Sequence, residues 1–154
     1  MSQDLGENDY RQGGLQRLRE SKVLLDGQLF AGGVYLAGRA VESLLRALIW
    51  KHDRDIKSGR RSLQTGHDLR ELLKLVANLG VLKDNPLRDR MIDHVQIVAR
   101  QWINNLRFFP TAKLNTWWWK IGVIRGKRTL KATAYDYYDS CSWIVKQCEA
   151  LCEK

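Results

Sequence analysis

The chain has 154 residues, enough for one domain with an ordinary hydrophobic core, expected to span 1–154. No apolar run approaches the roughly 18 residues that a membrane-spanning helix needs, and the start, MSQDLGENDY, is polar and acidic, unlike a secretory or organellar leader. The formal charge is +9, from 26 Lys and Arg against 17 Asp and Glu, which points to an anionic partner rather than a membrane interior.

The distribution of that charge is uneven. Between His94 and Tyr135 stand eight basic residues (Arg100, Arg107, Lys113, Lys120, Arg125, Lys127, Arg128 and Lys131) and no Asp or Glu, so the rest of the chain nets only +1. A field concentrated in one stretch suits a surface that meets phosphates or an acidic protein, although a solvated basic loop has the same composition.

In chain order, residues 7–28 predict a first helix, with Leu15, Leu18, Leu25 and Leu29 as its apolar stripe and Gly13-Gly14 weakening its start. Residues 30–53, FAGGVYLAGRAVESLLRALIWKHD, predict a central and nearly buried helix. Gly33, Ala37 and Gly38 on it leave room for neighbouring backbones to approach. Glu42 falls inside its apolar run, where a carboxylate requires a partner. After a short break the first two helices should pack antiparallel.

The polar stretch RDIKSGRRSLQTG reads as an exposed loop. Asp68 and Glu71 resemble a capping box for a third helix carrying Leu69, Leu72, Leu73, Val76 and Leu79, with Gly80 as its C-terminal stop. Asn85 and Pro86 mark the start of a fourth, with Met91, Val95, Val98 and Trp102 on one face, running to Pro110. A last helix is expected from about Thr133. On it Tyr138, Cys141, Val145, Cys148 and Cys152 recur at steps of three and four, so the cysteines read as small core residues. Cysteines at such spacings on one helix do not pair readily, no metal site is expected from them, and a reduced, cytoplasmic setting follows. Between the last two helices, about 111–132, lies a Trp-rich insertion. Trp117, Trp118, Trp119, Ile121, Val123 and Ile124 favour extended structure by residue type, and Arg125-Gly126-Lys127 suits the turn of a short hairpin. The sum is an all-α, up-and-down bundle of about five helices.

Three stretches, YLAGRAVESLLRALI at 35–49, GHDLRELL at 66–73 and WINNLRFFP at 102–110, resemble HEPN domains in order and spacing. The resemblance implies a helical bundle, commonly dimeric. It also implies one of two functional types. Many HEPN proteins are metal-independent ribonucleases with an Arg followed after four to six residues by a His. Others lack the pair and bind nucleotides or RNA, often beside a small nucleotidyltransferase. After Arg107 the corresponding positions are Ala112, Lys113 and Leu114, and none can act as imidazole does. Arg88 and His94 have the sequence spacing but fall early in the fourth helix, and only Arg90 and His94 share a face.

The expected function is therefore a non-catalytic, homodimeric subunit of a defence or toxin–antitoxin type assembly that binds RNA, DNA or nucleotide without cofactor or metal. Its predicted binding residues are Arg107, Lys113, Trp117, Trp118, Trp119, Lys120, Arg125, Lys127, Arg128 and Lys131. The basic residues would attract phosphates and an exposed indole would stack on bases. Arg107 has a second reading, a buried ion pair with Glu42 that keeps two helices in register. His67 is expected to cap the third helix or sit at the core edge. Two other functional readings stand beside this one. The Trp-rich basic arm would dock the chain on a larger effector protein, or Arg88 or Arg90 with His94 would make it a ribonuclease.

Overall fold

A computed structural model describes residues 5–63 and 66–153. Among them the chain forms seven α-helices and no strand: α1 (Glu7–Asp26), α2 (Phe30–His52), α3 (Arg54–Lys57), α4 (Leu69–Asn78), α5 (Arg88–Gln101), α6 (Thr111–Lys120) and α7 (Leu130–Cys152). A 3-10 turn, Asn104–Phe108, separates α5 from α6.

The middle of the bundle is α2, which packs on α1, α7, α4, α3, α6 and the 3-10 turn. From Ala40 to Ile49 every α2 residue except Ser43 is buried. Glycine makes this crowding possible. A methyl group placed on Gly14 of α1 would come within 2.2 Å of Leu44, and one on Gly33 within 2.6 Å of Leu25. Between these contacts the buried Ser21 hydroxyl donates to the Gly33 carbonyl at 2.6 Å. The two helices therefore touch backbone to side chain along their length. At the α1–α2 turn Gln28 takes φ +64, and its N–H donates to Leu25 O while that of Leu29 donates to Leu24 O. Leu29, expected in the first apolar stripe, is instead 58 % exposed at this turn.

Gly38 holds the third close approach. The Trp102 indole lies where a Gly38 side chain would be, 2.2 Å from the position of its Cβ, and Trp102 Nε1 donates to Tyr35 O at 3.1 Å. To reach this notch the chain leaves helical geometry at Trp102 (φ −131, ψ 133). The fourth helix therefore stops at Gln101 instead of running to Pro110. Pro110 precedes α6 as its N-cap. The expected hairpin is also replaced, because residues 111–120 are helical. Helical winding turns Leu114 and Trp118 inward together, both 0 % exposed, and their burial outweighs the β preference of three consecutive tryptophans. Trp118 Nε1 donates to Gln101 O at 3.1 Å, so the carbonyl at the end of α5 finds a partner in α6.

Smaller departures have local causes. Asp53 Oδ1 accepts from the N–H groups of Asp55 and Ile56, folding the start of the expected loop into α3 and burying Ile56. Asn85 Oδ1 accepts from the Leu87 N–H, which makes Pro86 part of a turn and delays α5 to Arg88. Asp68 caps α4 as expected, while Glu71 pairs forward with Lys74. Thr129 Oγ1 accepts from Ala132 N and starts α7 at Leu130, three residues earlier than expected. Cys141, Cys148 and Cys152 are free and buried in the core. Burial pushes the first two thiols far up, and Cys152 up to about 11.

Adding one methyl group tests the glycine contacts. Gly38→Ala should destabilise the fold by about 2–3 kcal/mol, because the Trp102 ring must move. Gly13→Ala, one residue from the Gly14 contact but facing open space, should stabilise it by about 0.5–1 kcal/mol through helix propensity. Urea unfolding midpoints at unchanged slope measure both.

Candidate functional site

Two clusters of arginine stand out, and they differ in how their charge is met. The first surrounds Glu42, which is 3 % exposed. Arg39 Nη1 donates to its Oε2 at 2.8 Å, and Arg46 Nε lies 3.5 Å from the same oxygen. His67 Nδ1 lies 2.7 Å from Glu42 Oε1 and 2.8 Å from Arg39 Nη1, so its tautomer decides whether it donates to the carboxylate or accepts from the guanidinium. Arg46 also donates to the Gly66 carbonyl. The cluster thus fastens the approach to α4 onto α2. His67, expected to cap the third helix or sit at the core edge, is exposed and reaches Glu42 from the surface, while Asp68 caps α4. The expected Glu42–Arg107 pair does not form. Arg107 is exposed in the 3-10 turn, its guanidinium 4.6 Å from the centre of the Phe108 ring. The helix break at Trp102 carries it out of the α5 axis, and Glu42 is satisfied from within its own helix at i−3 and i+4.

The second cluster lines a groove. Arg70 on α4, Gln96, Ile97, Arg100 and Gln101 on α5, and Gly122, Val123 and Arg125 beyond α6 enclose about 520 Å³. Gly122 takes φ +78 and reverses the chain after α6. Arg125 then folds back so that its Nε donates to Gly122 O, while Arg100 Nη2 donates to Ile121 O at 3.4 Å. Each of these guanidiniums is held by a neutral carbonyl and keeps its remaining N–H groups and full charge. Among the described residues neither they nor Arg70 has a carboxylate within 4.0 Å.

Ile97, Gln101 and Val123 also line an adjoining hollow of about 290 Å³, completed by Arg128, Thr133, Asp136, Tyr137 and Ser140. Here Arg128 is ion-paired with Asp136. Converging arginines with spare donors in a concave surface suit phosphate or another oxyanion.

Of the residues predicted for binding, the structure brings Arg125 into the groove and Arg128 into the adjoining hollow, where Asp136 pairs with it. Lys113, Trp119 and Lys120 lie on the solvent face of α6, with Trp119 45 % exposed and Lys113 Nζ 5.0 Å from the Phe109 ring centre. Lys127 and Lys131 are exposed on either side of the start of α7. Trp117 is half-buried and meets Phe109 edge-on. Trp118 is removed from the binding set, since it is sealed in the core against Tyr137. Arg90 and His94 do share a face, but both pack on Trp143, with ring or guanidinium centres 4.5 and 4.7 Å away. Burial and the nearby Arg90 charge lower the His94 pKa, favouring its neutral form.

Arg70 went unpredicted because it meets the basic stretch only in three dimensions, and Gln96, Arg100 and Gln101 because, although they lie within that stretch, they belong to α5 and nothing in their spacing sets them beside the turn after α6. Arg39 and Arg46, in contrast, carried a signal in their i−3 and i+4 spacing from Glu42. Among the described residues no helix is long and apolar enough to cross a membrane. Comparison with protein-family models, curated proteins and solved structures found no match. The fold defines the class, an all-α helical bundle.

Substitutions should separate the two arginine environments. Glu42→Ala strands buried positive charge and should cost about 3 kcal/mol of stability. Arg107→Ala should change it by less than about 0.5 kcal/mol. Chemical denaturation of the two variants is the measurement.

Proposed function

We propose that this bundle is a binding module for phosphate groups, those of single-stranded nucleic acid or of a nucleotide, held in the groove between α4, α5 and the turn after α6. The observation that carries the reading is the convergence of Arg70, Arg100 and Arg125 with no carboxylate among the described residues to neutralise them. Lys127 and Lys131 extend the positive field beyond the groove, and exposed Trp119 offers a stacking surface on α6. The resemblance to HEPN domains supports a non-catalytic, homodimeric member of that family, acting in a defence or toxin–antitoxin type assembly beside a nucleotidyltransferase or larger effector. The packing of both Arg90 and His94 on Trp143 favours binding over ribonuclease chemistry.

Fluorescence anisotropy with labelled single-stranded RNA and DNA, at 50–300 mM salt, tests the proposal, with unlabelled nucleotides as competitors. Three neutralised phosphates should give a slope of about −2 in log K against log salt, as single strands lose about 0.7 per contact. Arg100→Ala with Arg125→Ala should weaken binding at least about tenfold and flatten the slope to about −0.7. Binding that ignores both salt and these substitutions would overturn the reading.

A further inference from the structure

The groove is electrically polar along its length. At one end stand three guanidiniums with no carboxylate among the described residues to neutralise them, and at the other the Asp136 carboxylate, which would repel a phosphate. Between them Ile97, 48 % exposed, and Val123 form an apolar waist shared by both hollows. A ligand matching this order has an anionic end joined to a flat ring whose face meets the apolar waist and whose edge carries N–H donors. Nucleotides have that layout, and the two hollows fall near the usual size range of small-molecule sites.

We infer that the hollow beside α7 reads a guanine base. The inference rests on the phosphate-binding reading above and names the ligand of the same groove. Arg128 and Asp136, already joined to each other, place an N–H donor next to carboxylate oxygens. Guanine presents the complement in the same sequence: O6 as acceptor, then N1–H and the N2 amino group as donors. Arginine donating to O6 and a carboxylate accepting from base amino groups are both established pairings in base recognition. Adenine offers one donor beside one acceptor and leaves one carboxylate oxygen without a partner. Gln101 and Ser140 line the same hollow and supply further hydrogen-bonding groups at the rim.

Isothermal titration of the purified full chain with GTP and ATP tests this. GTP should bind about tenfold more tightly than ATP, a discrimination typical of one well-placed base contact. Asp136→Asn should bring GTP down to the level of ATP and leave ATP unchanged. Arg100→Ala should weaken both nucleotides equally. Asp136 and Arg128 are both exposed, so Asp136→Asn should keep the wild-type melting transition, and Arg128→Ala provides a second variant with the same expected loss of preference. Equal binding of GTP and ATP to the wild type, or a preference that survives Asp136→Asn and Arg128→Ala, overturns the guanine assignment while leaving phosphate binding intact. Failure of both nucleotides and of every oligonucleotide overturns both.

Discussion

Three side chains occupy the space that glycines leave: Leu44 over Gly14, Leu25 over Gly33 and the Trp102 indole over Gly38. Each contact brings a helix nearer to its neighbour than any side chain on that glycine would permit. Because α2 is surrounded by almost every other element, these approaches set the spacing of the whole bundle. Dispersion grows with such close contact, and the loss of helix propensity at glycine opposes it. The buried Ser21–Gly33 bond lies in the same seam and satisfies its polar atoms without widening it.

The Gly38 notch has consequences far along the chain. Seating Trp102 there ends α5 and frees the Gln101 carbonyl, which the Trp118 indole then takes up. With Trp118 and Leu114 inward, α6 lies against the bundle, and Gly122 can turn the chain back toward α5. That turn delivers Arg125 and Val123 to the face where Arg100, Gln96 and Ile97 already project. The groove is thus a product of how one indole packs some distance away. A tryptophan-rich segment that looked like a binding arm serves largely as scaffold.

Arginine plays two opposite parts in this fold. Around Glu42, Arg39 and Arg46 share one buried carboxylate that also engages His67, and the result is a fastening between α2 and the start of α4. In the groove, backbone carbonyls orient Arg100 and Arg125 while leaving their charge unmet. The first arrangement makes a buried charge tolerable. The second keeps like charges together at the surface, a repulsion that an anionic ligand would relieve.

Local sequence determined the helical class, the central place of α2, the Asp68 cap, the buried character of the three cysteines and the concentration of positive charge after His94. Each of these follows from spacing or capping within a single segment, where periodicity and side-chain chemistry act over a few residues. The tertiary structure alone decided the rest. Whether Trp117–Trp119 formed a strand or a helix depended on partners from other segments, the Gln101 carbonyl ending α5, Tyr137 of α7 and the surface of α2, and burial of Trp118 among them outweighed intrinsic preference. Glu42 required a partner on any reading, and Arg39 and Arg46 stand at helical spacing from it, but the approach of His67 and the exclusion of Arg107, carried away where the chain bends at Trp102, were decided by packing. The groove joins residues from α4, α5 and the turn after α6, and such convergence has no periodic trace in the sequence because it arises from packing between segments far apart along the chain.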